Sequence, residues 1–298
     1  MKYPTIGFIG LGTMGAPMAW NIHKAGYRVG VYNRSQSRTR EFSNSDVPVF
    51  NTPGKLAQNS DLIFIIVSDD AALKEVVIGT EGVTGGLDGN KIVVNMSTVS
   101  EKTNLEMADA AALENAGYIE APVSGTKKPA EEGTLTFLTA GDKGLVDSVD
   151  PVIQTMGNSN IYCGALGQAT KMKLTINLLL GNMLQAFTEA LVFGQKQGLD
   201  LETILQTIQS GPLNAPLFQG KGQLIKNRTF DKQFPVHLLL KDFNLISEAA
   251  QQYGCYLPST ATTREAVSAA NAVGHGDEDM AAIIKFLEYV AWSKSDGK

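Results

Sequence analysis

Lys171, Lys173 and Asn177 stand in the otherwise apolar run KMKLTINLLLGN, residues 171–182. A buried ammonium without a partner is costly, so lysines in such a run need a reason. A helix brings residues i and i+4 to one face, and Lys173 and Asn177 are so spaced, with Gly181 continuing the face. Gly181 has no side chain, which leaves room there for a ligand. Lys171 has Thr175 at i+4 and is rotated by about 200° from Lys173. One lysine can therefore face a cleft while the other reaches solvent, and the spacing favours Lys173. A partly desolvated lysine is the kind of group that can serve as a general acid or base.

A second set of residues points to a ligand. GFIGLGTMG contains Gly10-Leu11-Gly12-Thr13-Met14-Gly15, directly after the strand pattern TIGFIG (5–10) and opening a helical pattern over 13–25. In that context the spacing predicts a dinucleotide turn. Gly10 permits the tight turn, Gly12 the close approach of a pyrophosphate, and Gly15 close helix–strand packing. The helix N-terminus supplies N–H groups to the phosphates. The second strand, RVGVYN, ends in Asn33, Arg34 and Ser35, where an NAD enzyme usually carries an acid. A guanidinium pairs with a 2′-phosphate that a carboxylate would repel, so the expected cofactor is NADP(H). Val67 and Ser68, at the end of the strand pattern LIFIIV (62–67), are further cofactor-binding candidates.

These residues need elements to position them. Strand patterns recur at KIVVNM (91–96), YIEAPV (118–123) and TLTFLTAG (134–141), with a helix over 101–116. The alternation predicts an α/β fold whose N-terminal domain is a Rossmann-type doubly wound parallel sheet. The rhythm stops near Cys163. A long interdomain helix follows over 168–197, then helices at about 201–210, 218–226, 236–253, 259–273 and 277–293, an all-α C-terminal domain. The expected division is 1–165, the NADP-binding domain, and 166–298, a substrate and dimerisation domain.

Composition narrows the class. Of 298 residues, 43% are hydrophobic and 18% charged, as in ordinary globular domains. The net charge of −5 and the scattered basic residues give no footprint for nucleic acid or an anionic membrane. No uninterrupted apolar stretch approaches a membrane span. Cys163 and Cys255 are far apart, which suits free thiols in a reducing, cytoplasmic setting. Neither they nor His23, His237 and His275 match a metal spacing. His237 lies between Phe234 and Lys241 and is placed to tune substrate choice.

The chain resembles the β-hydroxyacid dehydrogenase family, which includes 3-hydroxyisobutyrate dehydrogenases, tartronate semialdehyde reductases and 6-phosphogluconate dehydrogenase. The resemblance covers almost the whole chain. It rests on GFIGLGTMGAPMAWNI, VNMSTVS (94–100), EAPVSGTKKPAEEGTLT (120–136), the lysine helix and FPVHLLLKDFNL (234–245). KLTIN, GPLNAPLFQGKG and FPVHLLLKD are most similar to the glyoxylate/succinic semialdehyde reductase branch. The resemblance implies NADPH-dependent reduction of a small carboxylate-bearing aldehyde, with a lysine general acid and a homodimer or homotetramer. The family's catalytic lysine sits four residues before an asparagine, which maps to Lys173 and Asn177, although the family pattern G-Q-x-x-K read on GQATK would point to Lys171. The resemblance further implies that Ser124, Gly125 and Thr126 bind the substrate carboxylate and that Thr98 touches nicotinamide and substrate. It places Lys241 and Asp242 over cofactor and substrate, with Phe234 as an apolar wall. Competing readings are a 3-hydroxyisobutyrate-type dehydrogenase, an imine reductase and a non-catalytic nucleotide-binding protein of the same fold. Arg34 opposes the first, and Lys173 opposes the other two.

Overall fold

Five short apolar runs form the spine of a sheet. In the computed structural model, which describes residues 4–293, they are β1 (Thr5–Ile9), β2 (Arg28–Tyr32), β3 (Leu62–Ile65), β4 (Ile92–Asn95) and β5 (Gly117–Glu120). They lie parallel in the order β2-β1-β3-β4-β5. Helices α1 (Gly15–Lys24), α2 (Arg40–Ser43), α3 (Pro53–Gln58), α4 (Asp70–Ile78), α5 (Glu101–Leu113), α6 (Lys127–Glu132) and α7 (Lys143–Ile153) punctuate them. Successive strand residues face opposite sides. Ile6, Phe8, Leu62 and Phe64 pack with Met18 and Ile22 of α1. Ile9, Ile63 and Ile65 pack instead with Leu56, Leu73 and Met107 of α3, α4 and α5. Both faces are covered, which is why these strands read as nearly continuous apolar runs. The chain passes from β1 to β2 on one side and returns to β3 on the other. That reversal makes a crevice at the carboxyl ends of the strands.

The rest of the sheet departs from the expected pattern. The run 118–123 is not one strand. It breaks at Ala121 and Pro122 into β5 and β6 (Val123–Ser124), because proline has no N–H for a ladder. β7 (Leu135–Gly141) pairs antiparallel with both, Ala140 opposite Glu120 and Thr136 opposite Ser124. The sheet is therefore mixed, with a parallel majority. β8 (Gly157–Gly164), absent from the sequence reading, pairs parallel with β7. Its sequence GNSNIYCG is polar and partly exposed, so no alternation marked it.

The second half of the chain is helical: α8 (Gln168–Lys196), α9 (Leu201–Ser210), α10 (Pro216–Asn227), α11 (Val236–Tyr253), α12 (Pro258–Ala270) and α13 (Ile283–Trp292). The helix expected over 259–273 ends at Ala270, where a π turn runs through His275 with Gly274 at φ 101°. Contacts divide the chain into two compact units, Met1–Leu174 and Thr175–Lys298, the boundary falling within α8. By length and a mean hydropathy of 1.3, α8 would suit a bilayer. It also carries polar groups that bond to protein: Asn182 donates to Thr260 Oγ1 (3.0 Å) and accepts from the Thr263 hydroxyl (2.8 Å), both on α12. Gly181 does not leave room for a ligand. A Cβ there would collide with the Phe243 ring, so its small size admits a core side chain of α11.

Candidate active site

The glycine turn is built at the reversal in the sheet. Gly10 has φ 100°, a conformation costly for any residue with a Cβ. A Cβ on Gly15 would strike the Gly10 carbonyl oxygen, so close packing of α1 on the turn requires glycine there. A Cβ on Gly12 would meet nothing within 4 Å, so Gly12 borders open space that a phosphate group can approach. The Gly10 N–H donates to the Tyr32 carbonyl (3.0 Å), and the Leu11 N–H donates to Asn33 Oδ1 (2.9 Å). Asn33 Nδ2 then donates to the Ser35 carbonyl (2.9 Å). Asn33 thus ties the turn to the end of β2, and the exposed Arg34 and Ser35 follow it. Thr13 and Met14 lead into α1. The Val67 N–H, just past β3, donates to the buried Ser97 hydroxyl (2.9 Å), and Ser68 is exposed beside it. Leu11, Gly12, Asn33 and Val67 therefore flank one end of the sheet.

The lysines differ as their helical rotation requires. Lys173 is 9% exposed. Lys171 is half-buried and pairs with Glu101 at 2.9 Å. Asn177 is buried one turn after Lys173, on the same side of α8, and its Nδ2 donates to Asp242 Oδ2 at 2.6 Å. The Lys241 ammonium stands 2.9 Å from Asp242 Oδ1, off the hydrogen-bond direction. Asn177, Lys241 and Asp242 thus form one cluster in the second unit. The carboxylate fixes which way the Asn177 amide faces, and the ammonium offsets its charge. Phe234 lies just ahead of α11, the helix that carries Asp242. It packs on the helical core and gives its N–H to Asp279 (3.1 Å).

In the first unit, Thr98 is half-buried in the turn after β4. Ser124 closes β6, Gly125 has φ 141°, and Thr126 precedes α6. The positive φ of Gly125 bends the backbone between two hydroxyl-bearing residues. His237 bonds the Gly276 carbonyl through Nδ1 (2.8 Å) and lies 3.7 Å from Asp277.

The chain resembles known proteins along most of its length. Residues 5–165 match the model of the NAD-binding domain of 6-phosphogluconate dehydrogenase. Residues 167–287 match that of the NAD-binding domain of NADP-dependent 3-hydroxyisobutyrate dehydrogenase. Glyoxylate/succinic semialdehyde reductase 1 of Arabidopsis thaliana is 34% identical, over 95% of this chain and 98% of its own length. The chain belongs to the β-hydroxyacid dehydrogenase family. Human cytokine-like nuclear factor N-PAC is 32% identical over 94% of this chain, which spans 51% of that protein. The structure of Mycobacterium tuberculosis 3-hydroxyisobutyrate dehydrogenase with L-serine has a TM-score of 0.85 and 25% identity, covering 96% of this chain and 99% of that one.

Membership makes the cofactor a nicotinamide dinucleotide, and the open space at Gly12 fits one. Two buried residues that the sequence reading did not single out bond the start of the lysine helix. Glu120 is fully buried at the end of β5 and accepts the N–H groups of Gly167 and Thr170 (2.8 Å for Thr170) as α8 begins. Burial pushes its carboxyl above the usual range, while these bonds pull the other way. Asn104 of α5 bonds Asn95, Tyr118 and Thr170. The only signal in the sequence was an acid closing an apolar strand.

Proposed function

We propose that this chain is an NADPH-dependent reductase of small carboxylate-bearing aldehydes, glyoxylate or succinic semialdehyde, with Lys173 as the general acid. The observation that carries the reading is the buried Lys173, one turn before an Asn177 that Asp242 holds in place. The names of the two Arabidopsis relatives, both 34% identical, support the substrate class. The exposed Arg34, following a β2 end that offers asparagine rather than an acid, supports the 2′-phosphorylated cofactor.

The bound cofactor supplies hydride to the carbonyl carbon. The chain's own residues manage charge and protons. Lys173 Nζ gives a proton to the oxygen as it becomes an alkoxide and, in reverse, takes it from the alcohol. Asn177 bonds the same oxygen and orients the amine. The Ser124 and Thr126 hydroxyls and the backbone at Gly125 hold the substrate carboxylate, Thr98 borders the reacting carbon, and Phe234 supplies an apolar wall. Gly10 to Gly15, Arg34, Ser35, Val67, Ser68 and Lys241 hold the cofactor, with Asn33 bracing the turn. In this reading the chain works in the cytoplasm as a homodimer or homotetramer. Its free Cys163 and Cys255 and the exposed apolar Leu179, Phe193, Tyr289 and Trp292 support that setting.

The test follows NADPH oxidation at fixed protein with glyoxylate, succinic semialdehyde or an uncharged aldehyde of equal length. Turnover of the two carboxylates, at least tenfold above the uncharged aldehyde, is expected. Equal turnover of charged and uncharged aldehydes, or none with any, would contradict the reading.

A further inference from the structure

One continuous set of buried hydrogen bonds in the first unit links the loops beside the cofactor turn to the first turn of the lysine helix. The Val67 N–H donates to Ser97 Oγ (2.9 Å), and the Ser97 N–H donates to Asn95 Oδ1 (3.0 Å). Asn95 Nδ2 donates to Asn104 Oδ1 (2.9 Å), which also accepts the Tyr118 hydroxyl (2.6 Å). Asn104 Nδ2 reaches Thr170 Oγ1 (3.4 Å). The Thr170 hydroxyl and N–H both bond Glu120, whose other oxygen takes the Gly167 N–H. Asn95, Ser97, Asn104, Glu120 and Thr170 are each at most 5% exposed. Thr98 follows Ser97 directly, and Lys173 follows Thr170 by one helical step of three residues.

Capping α8 accounts for only part of this arrangement. Glu120 already receives the free N–H groups at the helix start, where a carboxylate also suits the dipole. The ion pair of Lys171 with Glu101 is a second tie between α8 and α5. Asn95, Asn104 and the Thr170 hydroxyl add buried polar groups that an apolar core would not need, and such networks are stable only when their members are satisfied. What they add is a rigid connection between two pieces of the site. One piece, Val67 to Thr98, borders the nicotinamide position in the proposed function. The other carries the acid.

We propose that Asn104, Thr170 and Glu120 are positioning residues that couple occupancy of the cofactor loops to the ordering of the helix turn bearing Lys173. The inference rests on the reading of Lys173 as the acid. The weakest link is the bond of 3.4 Å between Asn104 and Thr170, so the device is most easily opened there. Thr170→Val keeps the β-branched shape and leaves both backbone N–H groups on Glu120, so the helix start stays capped. Thr170→Ser restores the hydroxyl.

The test is hydrogen–deuterium exchange of the full chain, with and without saturating NADP+, in wild type, Thr170→Val and Thr170→Ser. In wild type, NADP+ is expected to slow exchange at least threefold both over 96–104 and over 167–174. In Thr170→Val the first segment is still protected and NADP+ affinity stays within twofold, but protection of 167–174 is lost. Thr170→Ser regains it. With substrate present, kcat of Thr170→Val falls about five- to tenfold with KM unchanged. Protection of 167–174 by NADP+ that survives in Thr170→Val, or its absence in wild type, would overturn the proposal. Glu120→Gln is the second variant and is expected to raise exchange over 167–174 even without cofactor. The exchange arm needs no substrate. A wild type that shows the coupling without turning over an aldehyde would therefore sink the reductase reading alone.

Discussion

The glycine turn and the lysine helix solve different problems with different materials. The turn is made of backbone: Gly10, Gly12 and Gly15 give it shape, and Asn33 braces it from the neighbouring strand. The lysine helix works through side chains: Lys173 is buried, Asn104 and Glu120 hold Thr170 in the first unit, and Asp242 holds the Asn177 amide in the second. Backbone can hold a large anionic ligand without ionising, whereas proton transfer needs a group that does. Damage to the turn should therefore change cofactor affinity, and damage to the helix should change turnover.

The sharpest break in that contrast is Lys173→Ala. Loss of a general acid costs roughly 10²–10⁴-fold in rate, so kcat is expected to fall on the order of 10³-fold with NADPH affinity nearly unchanged. Gly12→Val should do the reverse. Its side chain enters open space, so thermal stability stays within a degree or two, while a dinucleotide that must approach there binds about 10²-fold more weakly by fluorescence titration. The same change that melts the fold, or one that leaves affinity intact, would deny that the turn is a ligand cradle. Next is Arg34→Ala. A charge-assisted contact is worth about 1.5–3 kcal/mol, so the preference for NADPH over NADH, read as a kcat/KM ratio, should fall about ten- to a hundredfold.

Two smaller effects sharpen the helix side. Burial raises the Glu120 carboxyl. An acid raised in the fold holds its proton longer than in the unfolded chain, so its contribution to stability is fullest in acid. That contribution falls as pH rises from the usual carboxylate range to the raised value, then stays level. Glu120→Gln cannot titrate. The difference in stability between wild type and Glu120→Gln, followed by denaturant unfolding, should therefore shift against wild type as pH rises through that window. A difference flat in pH would deny that folding raises the carboxyl above its usual range. Smallest is Lys171→Ala: its partly exposed pair with Glu101 is worth about 0–1 kcal/mol, and kcat should stay within about twofold.

The same contrast sets what the sequence could reveal. The turn is legible because its three glycines fall within six residues, directly between an apolar strand and a helix, where local sterics decide the structure. The shared buried face of Lys173 and Asn177 is legible for a similar reason, since helical rotation alone separates it from Lys171. Partners from distant elements are not. Asn104 and Thr170 are 66 residues apart, and Asn177 and Asp242 are 65, so no local pattern connects them. Lys241 and Asp242 entered only through family resemblance. Gly181 shows the limit of helical spacing, which assigned its face correctly but not its neighbour, Phe243. The strand GNSNIYCG was hidden because an exposed edge carries no hydrophobic alternation, and Pro122 split a run that apolar content alone made continuous.

The most direct test compares wild type, Lys173→Ala and Lys171→Ala in paired experiments: NADPH binding by fluorescence, then its oxidation at 340 nm with glyoxylate and succinic semialdehyde. The account predicts three proteins with matching NADPH affinity, of which only Lys173→Ala has lost turnover. Turnover retained in Lys173→Ala, or lost in Lys171→Ala with its fold intact, would contradict the assignment of the acid.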